Sequence, residues 1–233
     1  MLFRSDICVF LAKLNSNLTE TSDFDDVNLP SHHNYQSLLT PDKSSFATLA
    51  ANPHLVKQRT TAWHTIRDAH SVTGSTLHKA LCLEYMRDQN RHVHEHIFKH
   101  EAALIPEDLQ ARFKHGSDNE INAIGTLVSC IMPALLPSCF KLREVGSYLE
   151  SGTTVDHLLE VSPDGMIECC RQSAHNCESA TGEEMRPAVV EIKCPLPDNP
   201  VVLPVHYRLP VRYACQVLSE MNVTNTELCW YVS

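Results

Sequence analysis

The sequence predicts an α/β fold, and three stretches carry that reading. Apolar residues from Ile121 to Ile131 recur at helical spacing. From Phe140 to Ile167, and again from Pro187 to Lys193, that period gives way to short β-branched runs, the first punctuated by Gly146, Gly152 and Gly165. A second helical stretch, Arg208 to Met221, then leads into strand-like Glu227 to Val232.

A chain of 233 residues, 43% hydrophobic and 20% charged, suits one domain with a sizeable core and room for an irregular arm. Its net charge of -9 leaves no global basic field to draw it to nucleic acid or anionic lipid, so any polyanion contact must come from a local patch. The 10 cysteines follow no repeating interval and include no CxxC pair. That usage suits reduced thiols in an intracellular compartment rather than a disulfide framework. The apolar run Ile7 to Ala12 is too short for a signal segment or a membrane span. A soluble protein with no membrane partner is expected.

Residues 1–52 are rich in Ser, Thr, Asn and Asp and predict an irregular, weakly ordered arm ahead of a folded domain over 53–233. Thr60 to Ala69 reads as a helix with Trp63 and Arg67 on one face. Thr73-Gly74-Ser75 then precedes Leu77, Leu81 and Leu83, with Ser75 or Thr76 as the N-cap. Capped helix starts are common, but hydroxyls at the mouth and an arginine nearby also make a natural phosphate site. On a helix over Arg91 to His100, His92, His96 and His100 share a face. A solvated face suits them better than a zinc site, because the HExxH spacing is missing.

His115 to Glu120 leads into the apolar helix, which Pro133 is expected to end. Glu120 then falls near the helix N-terminus, where it either complements the dipole or points into a metal cleft. Strands are expected over Lys141 to Leu149, Val155 to Val161 and Met166-Ile167, with Pro163-Asp164-Gly165 as a turn. Polar Arg171 to Arg186 reads as a loop, and Pro187 to Lys193 as a buried strand stopped by Pro195 and Pro197. The helix over Arg208 to Met221 sets Tyr213, Gln216 and Val217 on one face. No polar cap follows Trp230-Tyr231-Val232, so the C-terminus is expected to be truncated within a longer product.

The chemistry concentrates between Ser162 and Lys193. Phosphodiester hydrolysis needs divalent ions that clamp the phosphate, lower the pKa of the attacking water and stabilise the leaving oxygen. Asp164 and Glu191 are hard oxygen ligands suited to Mg²⁺ or Mn²⁺. The strand period puts Glu191 and Lys193 on one face, with Ile192 turned to the core and its backbone carbonyl available to the metal. Lys193 is then placed to orient or deprotonate water, or to stabilise developing charge. By itself the triplet serves equally well as a surface ion pair at a strand end.

Trp63, Arg67, Thr73-Gly74-Ser75, His115-Gly116 with Glu120 and Ala123, Ser162-Pro163-Asp164-Gly165, Glu191-Ile192-Lys193-Cys194-Pro195, and Tyr213 with Gln216-Val217 follow one another in an order that resembles the YqaJ-like viral recombinase family. That family includes the lambda exonuclease and is a branch of the PD-(D/E)xK nucleases. The resemblance runs from about Thr60 to the C-terminus. It implies a restriction-endonuclease-like core, a mixed central β-sheet flanked by helices, with the site at one end. It implies Asp164, Glu191 and the Ile192 carbonyl as metal ligands, Lys193 as the catalytic lysine, Glu120 as a further carboxylate and Gln216 as a glutamine lining the site. Arg67 and Ser75 resemble the residues that hold a 5′ phosphate. The implied activity is Mg²⁺-dependent (or Mn²⁺-dependent) exonucleolytic hydrolysis of double-stranded DNA from a 5′ end, of the recombination type. Partners implied are DNA ends, a single-strand annealing protein and further copies of the chain in a homo-oligomeric ring.

Two features depart from that pattern. The loop Arg171 to Arg186 is longer than a hairpin needs and, with Cys169, Cys170, His175 and Cys177 in and beside it, offers an irregularly spaced zinc set. The acidic balance is also unusual for a duplex binder, whose phosphate contacts come from Lys and Arg. A non-catalytic DNA-end-binding module of a mobile-element or virus-derived protein is the alternative reading, and a nuclease that nicks internally is a third.

Overall fold

The computed structural model describes residues 35–36, 52–98, 104–137, 139–150, 159–169, 186–197 and 205–233. Its frame is a five-stranded mixed sheet. β1 (Tyr35–Gln36) runs parallel to β3 (Phe140–Arg143), and β6 (Gly165–Cys169) is antiparallel to both β3 and β7 (Ala188–Ile192). β8 (Leu228–Val232) closes the edge parallel to β7. A smaller sheet sets β5 (Leu159–Val161) between β2 (Val72–Thr73) and β4 (Tyr148–Leu149). The helices are α1 (Thr61–Ala69), α2 (Leu77–Ala80), α3 (Met86–His92), α4 (Glu107–Thr126), α5 (Met132–Leu135) and α6 (Val211–Val223).

The expected α/β class, a mixed sheet with helices around it, is therefore what the chain forms. The single strand expected over Lys141 to Leu149 is instead two strands in two sheets. Gly146 and Ser147 spend their N–H groups on the His54 and Pro53 carbonyls at 2.9 and 3.1 Å, so the ladder begun by β3 stops at Arg143. A Cβ at Gly146 would stand 2.2 Å from the Val56 carbonyl oxygen, so the close approach requires glycine.

β7 is buried along its whole length and alternates between two packing faces. Val190 and Ile192 pack with Leu127, Val128, Ile131 and Phe140. Val189 points the other way, against Val145 and Met166. Each such side chain contributes roughly 1.5–3 kcal/mol by leaving water. Glu191 shares the face of Val189, where the only reward for burial is polar.

Several expected boundaries move for local reasons. The hydroxyl of Thr60 caps α1 by accepting the Trp63 N–H at 3.3 Å, as the helix expected there needs. After β2, Thr76 is the N-cap of α2, one of the two expected, but its side chain makes no cap bond there; it bonds reciprocally with Thr73 around a 3-10 turn, Gly74–Thr76, that precedes the helix. α2 lasts one turn, and Leu81 and Leu83 stay exposed. α4 begins at Glu107, which puts Glu120 in mid-helix instead of near the N-terminus. Pro133 does not end this helix. A widened turn, Leu127–Ile131, hands over to α5, where Pro133 sits in the first turn and its missing N–H costs little.

α6 starts after Pro210 rather than at Arg208, because a residue preceding proline resists helical backbone. It runs to Val223, where Asn225 adopts a left-handed φ of 53° and the Thr226 and Asn225 N–H groups bond to the Met221 and Asn222 carbonyls. The histidine face is not uniformly solvated: His92 is buried and its ring lies 4.8 Å from that of exposed His96. His100, Cys170, His175, Cys177 and most of the expected 1–52 arm lie outside the described residues. Among the described residues the cysteines are thiols, and no helix is long and apolar enough to cross a membrane.

Candidate active site

The turn Ser162-Pro163-Asp164 is held from the segment ahead of α1 and from α1 itself. Gln58 Nε2 donates to the Val145 and Pro163 carbonyls at 3.0 and 2.7 Å, and Trp63 Nε1 donates to Ser162 Oγ at 3.0 Å. Ser162 in turn contacts Ser147 Oγ at 3.1 Å and donates to the buried Glu160 carboxylate. Because Gly165 pairs with Val190 across the antiparallel ladder, Asp164 stands at the end of β6 beside Glu191. Asp164 Oδ2 accepts the Ile192 N–H at 2.6 Å and so occupies a ladder position that a backbone carbonyl would otherwise fill.

Glu191 is 1% exposed and is held from two sides. Lys193 Nζ donates to its Oε1, and Gln216 Nε2 donates to the same oxygen at 2.6 Å. The Glu191–Lys193 pair is thus an interior pair at the cleft floor, and the surface ion-pair alternative does not apply. Gln216 Nε2 also donates to Glu220 Oε1 at 2.9 Å, one turn further along α6.

A cleft of about 810 Å³ brings together Asp164, Ile192, Lys193, Gln216, Ser75 and, from mid-α4, Glu120. Glu191 lies behind this lining. Lys79, Arg91, Arg112 and Arg212 also line the cleft, interleaved with Glu84 and with Asp88, which pairs with Arg91 at 2.8 Å. Arg67 is not among the lining residues; its guanidinium lies over the Trp63 ring, 4.4 Å from the centroid. Glu120 is paired with Arg59, whose backbone adopts a left-handed φ of 64°.

The charges in this cleft are out of balance. Desolvation, then Glu191 and, further down, Glu120, hold the Asp164 carboxyl well above the ordinary range, against the pull of Lys193 and the Ile192 amide. Desolvation and the neighbouring Glu220 push Glu191 up to about 8 despite Lys193. Desolvation likewise lifts Glu220 to about 7, against the Gln216 hydrogen bond. The two carboxyl groups are close enough for the neutral form of one to donate to the other. For Lys193, burial pulls the pKa down, but Glu191 and Asp164 outweigh it and keep the ammonium charged. Cys194 also lines the cleft; desolvation, with Glu120 and Asp164, pushes its thiol up to about 11, which leaves it a poor nucleophile.

This donor chemistry fits a hard divalent cation. Two crowded carboxylates carry more negative charge than Lys193 offsets, and Glu191 Oε2 is buried with no donor to it among the described residues. Among those residues no three histidine, cysteine or carboxylate side chains converge as a preformed cage. Mg²⁺ asks for no such cage, since it keeps several waters and takes one or two carboxylates plus substrate oxygens.

Sequence reasoning passed over Glu220, Arg59, Gln58 and Glu160. Glu220 carried one signal, its position four residues after Gln216 on the same helical face. The others become visible only when distant segments meet.

Asp164, Glu191 and Lys193 at the ends of adjacent strands, beside Gln216 from a packed helix, form one sheet-borne polar site. The sequence model of the YqaJ-like viral recombinase domain matches residues 62–227. The chain belongs to the YqaJ-like viral recombinase domain family. Among solved structures it is similar to an alkaline exonuclease (LHK-Exo) from Laribacter hongkongensis, at 17% identity and a TM-score of 0.45, covering 74% of this chain and 72% of that one. It is similar also to LHK-Exo in complex with dAMP, at 16% identity and a TM-score of 0.44, with the same coverage. No curated protein gives a match.

Proposed function

We propose that the chain is a metal-dependent DNA exonuclease of the recombination type, which hydrolyses double-stranded DNA from a 5′ end. The observation that carries this reading is the meeting of Asp164, Glu191 and Lys193 at one end of the sheet, in a member of this family. Asp164, Glu191 and the Ile192 carbonyl would hold the Mg²⁺ or Mn²⁺. When bound, the ion supplies Lewis acidity and a water of lowered pKa.

The chain's own groups have distinct tasks. Lys193, kept protonated by its two carboxylate neighbours, acts as a donor that orients the attacking water or stabilises charge on the phosphate, rather than as a base. Gln216 holds the Glu191 carboxylate, and Glu120 extends the acidic wall from α4. Ser75, which faces the cleft, and Arg67, which lies over the Trp63 ring, are the residues assigned to the terminal 5′ phosphate. The four cationic side chains around the cleft engage backbone phosphates, which lets a chain of net charge -9 bind duplex DNA locally. DNA ends, a single-strand annealing protein and a homo-oligomeric ring are the partners that this reading entails.

The test is Mg²⁺-dependent release of nucleotides from end-labelled linear duplex. Wild type is expected to degrade from the 5′ end and leave closed circles intact, while Lys193→Ala loses about 10²–10³-fold in rate. Equal background rates in wild type and Lys193→Ala would refute the reading. End binding without turnover would favour the non-catalytic module, and cleavage of closed circles an endonuclease.

A further inference from the structure

Gln216 has one amide nitrogen, and the site uses both of its N–H groups. One goes to Glu191 Oε1 at 2.6 Å and the other to Glu220 Oε1 at 2.9 Å. Glu220 is fully buried and does not line the cleft. A carboxylate at a core position is costly unless its hydrogen bonds do something that an apolar side chain cannot. Gln216 is buried, and the two bonds from its Nε2 are the contacts that orient its terminal amide. With Glu191 and Glu220 both ionised, a reversed amide would turn its carbonyl oxygen toward two carboxylates at once. With an apolar residue at 220, it would face only one.

We propose that Glu220 is a positioning residue: it locks the Gln216 carboxamide with its N–H groups toward Glu191, and thereby holds the metal-ligating carboxylate in a single orientation. Its consequence for turnover rests on the metal-dependent reading above, whereas the locked amide does not. The partner to which this device is tuned is the divalent cation, since Glu191 and not Gln216 is the ligand.

Glu220→Gln keeps an acceptor oxygen without the charge, Glu220→Leu removes the acceptor, and Gln216→Leu removes the amide. Glu220→Ala replaces the leucine variant should that one fail to fold. In metal-free wild type, the Gln216 side-chain amide, assigned by its disappearance in Gln216→Leu, is expected to give two well-separated, slowly exchanging proton resonances. Glu220→Gln preserves them; Glu220→Leu merges them and speeds their exchange. The Mg²⁺ concentration giving half-maximal nuclease rate is expected to rise about 10-fold or more in Glu220→Leu, in line with other residues that orient a metal ligand, and to stay close to wild type in Glu220→Gln. Added to Gln216→Leu, Glu220→Leu should cause no further rise, because Glu220 acts through that amide.

Unchanged amide resonances in Glu220→Leu or Glu220→Ala would overturn the proposal. So would their loss in Glu220→Gln, or an undiminished added effect in the Gln216→Leu background, which would mean that Glu220 acts on Glu191 directly. Absence of any Mg²⁺-dependent turnover in wild type would sink the proposed activity instead, and the amide resonances would still decide the role of Glu220.

Discussion

Glu191 makes the metal-free fold sensitive to alkali, and Glu191→Gln should remove most of that sensitivity. Its pKa is about 8 in the folded chain against 4.5 when exposed, so the folded state binds this proton more tightly than the unfolded state does. Stability from this group is therefore fully present below pH 4.5 and is lost as pH rises toward 8. At about 1.4 kcal/mol per pKa unit, the loss is on the order of 5 kcal/mol. That figure is a ceiling, since Glu191 and Glu220 share one repulsion and their effects do not add. His78, His92 and His206, held below their usual pKa chiefly by burial, act in the opposite sense near neutrality. The difference between two variants cancels them. Urea unfolding in chelator, followed by tryptophan fluorescence at several pH values from 5 to 9, gives that difference. Wild type should be no less stable than Glu191→Gln at the acid end and less stable at the alkaline end, with Mg²⁺ restoring wild type alone. A gap between the two that does not change with pH would refute the buried, mutually repelling carboxylates on which the site reading depends.

The remaining predictions concern the scaffold and the end of the substrate. Gly146→Ala places a Cβ against two backbone carbonyl oxygens that cannot step aside, at 2.2 and 2.6 Å, and should lower stability by on the order of 3 kcal/mol; an unchanged urea midpoint would contradict the packing described. Trp63→Phe keeps an aromatic ring but loses the bond to Ser162 Oγ and the pyrrole half of a buried side chain, which should cost on the order of 2 kcal/mol and lower nuclease kcat by loosening the Asp164 turn; full activity would show that the turn is held without it. Arg67→Ala should reduce the preference for 5′-phosphorylated over 5′-hydroxyl ends, measured by competition between the two substrates. Equal preference in both proteins would mean that the stacking of Arg67 on Trp63 is its whole role.

Where a feature depends on neighbours along the chain, the sequence by itself determined it. The alternation of β7 put Glu191 and Lys193 on one face, the Thr60 cap began α1, and the spacing of Tyr213, Gln216 and Val217 placed them on one face of α6. Those patterns follow from helical and strand periods that any chain obeys. The family motifs added the order of the site, because each motif is local and only their succession is distinctive.

Tertiary structure decided the rest, since it turned on distances between segments far apart in sequence. Nothing in the run from Lys141 to Leu149 shows that the His54 and Pro53 carbonyls will take its amides and split it between two sheets. Nothing local to Glu120 shows that it lies in mid-helix opposite Arg59, or that the Glu191–Lys193 pair is an interior one. Glu220 looks like any helical carboxylate until α6 is packed on β7, and only then does it become a buried acid sharing an amide with Glu191. Burial and like-charge proximity are properties of the packed molecule, and they set the protonation of Asp164, Glu191 and Glu220.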